Sequence, residues 1–189
     1  MLELKAGINR INITEQLRGR GAYRFTESRK MQPTADILYR DMFNRIDAPL
    51  CPDVAQVNCS LKEFEAGYDH ALGIDVVFKF ANGTTATLQE KFLTTDWDTL
   101  TVEYMQDPDN NIPGDWFNMK CQYYFVGYYD TSHRELGFDR YAMVNWVDLQ
   151  RYPLKWHDGR NNREVCGARA SFRYVSIYAI PDRCIIARH

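Results

Sequence analysis

An Asn82-Gly83 pair between two runs of strand-forming residues constrains this chain more than any other feature of its sequence. Both residue types tolerate the positive φ angles of a type I′ turn, so Asn-Gly between β-type runs is a strong signal for a two-residue hairpin. The flanking runs cover residues 74–81 and 84–93. The sequence therefore predicts an antiparallel hairpin near the middle of the chain.

Apolar residues upstream of this hairpin recur at helical spacing behind Thr34, which is a residue type that caps helices. The pattern predicts a helix over residues 35–45. The apolar residues that carry the pattern are Ile37, Leu38, Met42 and Ile46.

Runs rich in β-branched and aromatic residues predict four further strands, at residues 100–105, 121–129, 140–146 and 172–180. A short helix is expected to follow Val147. A helical start, a central hairpin and later strands indicate an α/β or α+β fold, with a mixed β-sheet whose central hairpin is flanked by helices. Because no linker or internal repeat is visible, residues 1–189 are expected to form a single domain.

The formal net charge of the chain is −2, from 23 Lys and Arg against 25 Asp and Glu. This balance argues against a protein held on DNA or on anionic membranes by overall charge alone. The longest apolar runs, residues 123–129 and 175–180, are too short to cross a bilayer. Together with a start that lacks the apolar core of an export signal, they predict a cytoplasmic, intracellular protein with no membrane partner.

The five cysteines include no C-x-x-C pair, and their odd number favours reduced thiols over a disulfide framework. A zinc site would need Cys51, Cys59 and His70, whose spacing matches no standard zinc finger. The sequence therefore favours structural cysteines.

The second strand of the hairpin carries a carboxylate in an otherwise apolar row. Glu90 alternates with apolar residues, whereas Gln89 and Lys91 share the opposite face. Burying such a carboxylate costs on the order of a few kcal/mol unless a cation, a metal ion or a hydrogen-bond donor meets it. A two-residue turn would pair Asp75 with Glu90, and a one-residue bulge would pair it with Gln89 on the face of Lys91. In either register an acid, a second oxygen ligand and a lysine meet at one end of the hairpin.

The segments Gly73-Ile74-Asp75 and Leu88-Gln89-Glu90-Lys91-Phe92, joined through Asn82-Gly83, resemble the core of the PD-(D/E)XK nuclease superfamily. The resemblance is to phage and restriction-associated members, here with a Gln-Glu-Lys motif, and covers roughly residues 65–150. It implies the restriction-endonuclease-like fold. In that family, an Asp on one strand and a (Glu/Asp/Gln)-x-Lys on the next bind a metal ion and position the attacking water.

Carried onto this chain, the resemblance implies a Mg²⁺-dependent (or Mn²⁺-dependent) endonuclease that hydrolyses phosphodiester bonds in DNA. Asp75 is then the first metal ligand, Glu90 or the side-chain carbonyl of Gln89 is the second ligand, and Lys91 positions the water. The Gln in the acidic slot, and Ile74 where the family name has Pro, favour an alternative. In that alternative the chain is a non-cleaving nuclease-fold module that binds nucleic acid or serves in the assembly of a virus or mobile element.

Two basic segments flank the hairpin in the sequence, with an acidic stretch at residues 92–119 between them. Residues 18–30 combine five basic side chains with one acid and two aromatic residues, and residues 151–173 hold six Lys and Arg against two acids. Lys and Arg neutralise phosphates and aromatic rings stack on bases, so both segments are candidate DNA contacts. The candidate DNA-binding side chains of the first segment are Arg18, Arg20, Arg24, Arg29 and Lys30.

Several acids outside the motif are candidates for a further site carboxylate, each against the simpler interpretation of a surface or turn residue. They are Asp69, Glu15, Glu27 and Glu103, the last on a strand expected beside the hairpin. Lys120 is expected to line a strand edge.

RNA remains open as a substrate beside DNA, and a homodimer would suit cleavage of both strands of a duplex.

Overall fold

The computed structural model describes residues 9–10, 30–45, 72–79, 84–94, 97–133, 137–160 and 170–189. They form ten strands, three α-helices and one 3₁₀ turn. The strands are β1 Asn9–Arg10, β2 Val76–Lys79, β3 Thr85–Leu93, β4 Thr99–Asp107, β5 Ile112–Pro113, β6 Tyr123–Tyr128, β7 Arg140–Asn145, β8 His157–Arg160, β9 Ser171–Ser176 and β10 Ile185–Arg188. The helices are α1 Gln32–Arg45, α2 Asp115–Asn118 and α3 Trp146–Arg151, and the 3₁₀ turn is Asp182–Cys184.

Six strands form the larger sheet, in the order β1-β2-β3-β6-β7-β10. Strands β3 and β6 run parallel, while the other neighbouring pairs are antiparallel. The predicted mixed sheet around an antiparallel pair is therefore confirmed, as is the α+β class. The Asn82-Gly83 turn itself lies outside the described residues.

A second sheet of four antiparallel strands, in the order β5-β4-β9-β8, was not foreseen. Two of the predicted strands, near residues 100–105 and 172–180, belong to it. The expectation of one sheet was wrong because an apolar alternation shows that a strand forms, and leaves its partner undecided. Strands β1, β5, β8 and β10 were also missed, since they are only two to four residues long.

Helix α1 covers one face of the larger sheet. It buries Ala35, Tyr39, Met42 and Phe43, and the rings of Tyr39 and Phe43 pack edge-on against Phe78. The helix begins at Gln32, two residues before the expected cap, because Pro33 is tolerated in a first turn.

Two of the apolar residues expected on the buried face of α1 are confirmed there, since Met42 is buried and Leu38 packs against the same core. Ile37 is not, because it is 71% exposed, and Ile46 lies outside the described residues. The buried face is set by the aromatic residues of the helix, which have more apolar area to remove from water than a single isoleucine. No helix in the described part of the chain is long and apolar enough to span a membrane.

The opposite face of the larger sheet packs against the smaller one. The hydroxyl of Tyr124 donates to the carbonyl oxygen of Thr101 at 2.6 Å, and the hydroxyl of Tyr128 donates to that of Thr99 at the same distance. Both acceptors belong to β4, so two tyrosines of β6 satisfy backbone carbonyls of the other sheet. These bonds hold β4 against the larger sheet, because a buried carbonyl without a donor is costly.

Replacing Tyr124 by Phe removes the hydroxyl and keeps the ring. Because the ring is buried and the hydrogen bond lies inside the protein, we expect Tyr124→Phe to lower the free energy of unfolding by about 1–2 kcal/mol. Urea unfolding would measure this loss, with Tyr178→Phe as a control at a tyrosine that is 58% exposed. An equal effect of the two substitutions would contradict the role assigned to the bond.

Candidate functional site

Asp75 lies immediately before β2, where the ladder with β3 ends. The register pairs Val76 with Leu88, one residue away from the pairing that a two-residue turn would give. The alternative register therefore holds, and the next position along the ladder brings Asp75 to Gln89. The backbone amide of Asp75 donates to the carbonyl oxygen of Leu88 at 2.9 Å.

The carboxylate of Asp75 turns toward β3. Its Oδ2 atom accepts a hydrogen bond from the backbone amide of Glu90 at 2.8 Å. A backbone donor has little freedom to move, so this bond fixes the side chain of Asp75 beside the Gln-Glu-Lys motif.

The motif residues of β3 divide between two faces of the sheet. Gln89 lies beside Tyr124 of β6, and Lys91 lies beside Val126. Both neighbours belong to the core between the two sheets. Glu90 lies beside Phe125, which belongs to the core under α1. Alternation along the strand therefore places Gln89 and Lys91 toward the smaller sheet and Glu90 toward the helix.

Glu90 finds its hydrogen-bond donors on α1. The hydroxyl of Tyr39 donates to its Oε2 atom at 3.0 Å, and Nε2 of Gln32 donates to Oε1 at 3.5 Å. These contacts explain a carboxylate in an apolar row, which the sequence pattern had made conspicuous. Of the two alternatives for the second ligand, the structure brings Gln89 to the face of Lys91 and directs Glu90 to the helix.

The side-chain oxygen of Gln89 is buried and has no hydrogen-bond partner within the described part of the protein. A buried carbonyl oxygen in this state is unusual, because losing water without a replacement donor costs about 1–3 kcal/mol. This oxygen is a hard donor of the kind that Mg²⁺ binds. The amide oxygen of Gln89 is therefore an atom that could bind a metal ion.

Two further carboxylates, Glu103 of β4 and Asp115 of α2, share this region with Lys91. Burial raises the pKa of Glu103, the nearby Asp115 charge raises it further, and Lys91 opposes both effects. Burial likewise raises the pKa of Asp115, again opposed by Lys91. Lys91 is therefore the cation that two partly desolvated acids have in common.

The short helix α2 brings Asp115 to this place. Its preceding residue, Gly114, donates its amide to the carbonyl oxygen of Tyr104 at 2.9 Å. A Cβ atom at Gly114 would lie 2.8 Å from both Cγ and the backbone oxygen of Glu103, so only glycine allows this approach. Sequence reasoning missed Asp115, which stood as one of six acids in residues 92–119. The Gly-Asp pair at 114–115 was the signal that could have marked it.

The surroundings of the site are poorly solvated. Burial raises the pKa of the Cys121 thiol, and the Asp75 and Asp115 charges raise it further, against opposing backbone hydrogen bonds. Burial also raises the pKa of Tyr124 well above its usual range, with contributions from Asp115 and Asp75. Charges in such surroundings interact more strongly than in water.

The other residues that the sequence suggested for the site are described only in part. Glu103 reaches the site, whereas Lys120 is exposed in the loop before β6. Lys30 is exposed just before α1. The candidates outside the described residues are Glu15, Arg18, Arg20, Arg24, Glu27, Arg29, Cys51, Cys59, Asp69 and His70.

Metal-binding clusters of the usual composition are absent from the described ranges: no group of three or more His, Cys, Asp or Glu side chains there could hold an ion. The amide oxygen of Gln89 is a possible ligand of another type, which such groups of His, Cys, Asp and Glu do not include. Comparisons of the chain with protein-family models, with curated proteins and with solved structures find no match.

A double-mutant cycle tests the contact between Tyr39 and Glu90. Because it is a partly buried bond to a charged group, we expect a coupling of about 1–2 kcal/mol between Tyr39→Phe and Glu90→Gln, measured by urea unfolding. Additive effects of the two substitutions would show that Glu90 does not depend on the helix.

The raised pKa of Glu103 predicts a pH-dependent stability. The folded protein holds this proton more tightly than the unfolded chain does, so ionisation costs stability. The favourable contribution is complete below the ordinary pKa of 4.5 and is lost as the pH rises through the raised value. We therefore expect Glu103→Gln to be more stable than the natural chain at neutral pH, with the difference shrinking below about pH 4.

Thermal unfolding between about pH 4 and pH 8 would measure this difference. Asp139→Asn, which removes a charge at an exposed position, is the matched control and should show no comparable gain. A loss of stability in Glu103→Gln at neutral pH would contradict the burial argument.

Proposed function

We propose that this chain is a metal-dependent DNA endonuclease of the PD-(D/E)XK type. The observation that carries the proposal is the set of Asp75, Gln89 and Lys91 at one end of the β2–β3 pair, with Gln89 and Lys91 on one face of β3. An acid, an amide oxygen without a partner among the described residues and a lysine, in partly desolvated surroundings, suit the hydrolysis of a phosphodiester.

Asp75 and Gln89 would hold Mg²⁺ or Mn²⁺ through oxygen atoms. The amide of Glu90 fixes the Asp75 carboxylate, and the buried oxygen of Gln89 lacks any other partner in the described chain. Mg²⁺ prefers few protein oxygens and keeps several waters, so two ligands are compatible with its binding. When bound, the ion polarises the phosphodiester and lowers the pKa of a coordinated water.

Lys91 would position the attacking water and stabilise the charge that develops on the phosphate. It lies on the face of Gln89, and its charge acts on Glu103 and Asp115. An ammonium group beside the phosphate would stabilise the negative charge of the transition state. Glu90 would have a positioning role only. Its backbone amide holds the carboxylate of Asp75, and its side chain accepts hydrogen bonds from α1.

Asp75→Asn and Lys91→Ala should each reduce Mg²⁺-dependent cleavage of plasmid DNA by about 100-fold or more, because each removes a group that acts on the reacting phosphate. Glu90→Gln should retain activity within about ten-fold, since its amide on Asp75 remains. Asp139→Asn, far along the chain and exposed, controls for the loss of a carboxylate.

Gln89→Ala tests whether Gln89, rather than Glu90, is the second metal ligand. We expect it to raise the Mg²⁺ concentration needed for half-maximal cleavage by about ten-fold or more. Full cleavage by both Asp75→Asn and Lys91→Ala would overturn the nuclease assignment. Equal Mg²⁺ requirements for Gln89→Ala and the natural chain would contradict the ligand role of Gln89.

A second candidate function is a nuclease-fold module that binds nucleic acid or serves in assembly without cleaving. The amide of Gln89 at the acidic position favours it, because an amide contributes less negative charge to a cation site than a carboxylate does. Mg²⁺ titration followed by thermal unfolding separates the two functions. A module without catalysis should show neither metal-linked stabilisation nor cleaved plasmid.

A further inference from the structure

We infer that Asp115, the first residue of α2, is a third protein ligand of the divalent ion that Asp75 and Gln89 are proposed to hold. This role rests on the proposed function, and it adds to the ligand set a residue outside the Gln-Glu-Lys motif. The set then consists of two carboxylates and one amide. That composition differs from the groups of three His, Cys, Asp or Glu side chains that the described ranges lack.

The two ligands proposed so far carry little charge for a divalent ion. Asp75 contributes one negative charge, whereas the amide of Gln89 contributes none. The amide oxygen is nevertheless buried and has no hydrogen-bond partner among the described residues. A second carboxylate at this place would balance more of the charge of an ion bound to that oxygen.

Backbone contacts place α2 against the segment that leads into Asp75. The amide of Lys120 donates to the carbonyl oxygen of Leu72 at 2.7 Å. A Cβ atom at Gly73 would lie 3.2 Å from the Cα atom of Met119, so the two stretches of backbone lie close together. Helix α2 directly precedes this contact in the chain, and Asp75 follows it by two residues. The helix and the first proposed ligand are therefore neighbours.

Aromatic rings and a cation fix the other side of α2. The guanidinium carbon of Arg173 lies 3.9 Å from the ring centroid of Tyr104 and 4.9 Å from that of Trp116. The ring of Trp116 also packs edge-on against Trp146. Because Trp116 directly follows Asp115, these contacts limit the movement of the acid, as a metal ligand requires.

The charges of Asp115 and Asp75 reach the same groups. Burial raises the pKa values of the Cys121 thiol and of Tyr124, and the charges of both acids raise each of them further. Burial also raises the pKa of Asp115 itself, against the opposing charge of Lys91. Asp115 therefore lies in the same poorly solvated surroundings as the motif, where an ion and a carboxylate attract each other more strongly than in water.

Mn²⁺ binding to the full chain tests the role of Asp115 without DNA. After EDTA treatment and dialysis, electron paramagnetic resonance of the unbound ion gives the Kd. Since even an outer-sphere partner of a ligand contributes about ten-fold in affinity, we expect Asp115→Asn to raise the Kd by at least about ten-fold. Glu103→Gln is the matched control, because Glu103 also interacts with Lys91 but belongs to β4, and it should change the Kd far less.

A change at Gln89 separates a ligand from a residue that only supports the fold. Gln89→Glu places a carboxylate at the acidic position of the motif, so the ion depends less on Asp115. We therefore expect Asp115→Asn to cost less Mn²⁺ affinity in the Gln89→Glu background than in the natural chain. A packing defect in α2 would cost the same in both backgrounds.

Asp115→Asn is expected to fold, because an uncharged side chain of the same shape avoids the burial of a charge. Thermal unfolding in EDTA checks this expectation. Asp115→Ser, which also removes the carboxylate, is the second variant for the same Mn²⁺ titration.

Equal Kd values for the natural chain and the Asp115 variants would overturn the ligand role, as would a natural chain that does not bind Mn²⁺. An equal loss in Glu103→Gln would also overturn it, since the charge of the region rather than one ligand would then hold the ion.

Failure of this role is distinguishable from failure of the proposed nuclease. Mn²⁺ binding that depends on Asp115 in a chain that does not cleave DNA supports the ligand and removes the nuclease. Mg²⁺-dependent cleavage that is lost in Asp75→Asn and unchanged in Asp115→Asn supports the nuclease and removes Asp115 from its ligands.

Discussion

Strand β3 has a different core on each of its faces, and the rest of the candidate site depends on this two-sided burial. Helix α1 covers one face with aromatic rings, and the smaller sheet covers the other. Side chains of a strand alternate strictly, so a motif of three adjacent residues is divided between the two cores. Gln89 and Lys91 reach one core while Glu90 reaches the other. A slip of one residue would exchange their surroundings, and the apolar neighbours of the strand oppose such a slip.

Partial desolvation connects the packing of the two sheets to the proposed chemistry. Tyr124 donates to β4 from the middle of the larger sheet, and in the same region burial raises the pKa values of Glu103, Asp115 and Cys121. Carboxylates in such surroundings hold their protons more tightly, and a nearby lysine offsets part of that effect. The oxygen of Gln89, which has no partner among the described residues, belongs to the same region. In the proposed function, a metal ion held by Asp75 and Gln89 would give this oxygen a partner.

Much of the secondary structure could be predicted because local patterns report local structure. The helix ending at Arg45 and the strands near residues 85–93, 99–107, 123–128, 140–145 and 171–176 follow from apolar spacing and β-type composition. The exposed Ile37 shows the limit of such patterns, since nearby aromatic residues took the buried face. Asp115 shows another limit, because a four-residue helix and the close approach of Gly114 to Glu103 leave little trace in composition. The resemblance to PD-(D/E)XK nucleases stays a prediction.

The sequence by itself determined the antiparallel pair of β2 and β3 and the residue types that meet there, Asp75 with Gln89, Glu90 and Lys91. Composition and alternation are sufficient for this, since each strand buries apolar side chains at every second position. Only the tertiary structure decided which of Gln89 and Glu90 lies opposite Asp75 on the face of Lys91, because both registers satisfy the local pattern. Tyr39 on a distant helix, the tyrosines of β6 and the second sheet supply the contacts that favour one register. Those contacts join residues far apart in the chain, and no local pattern reports them.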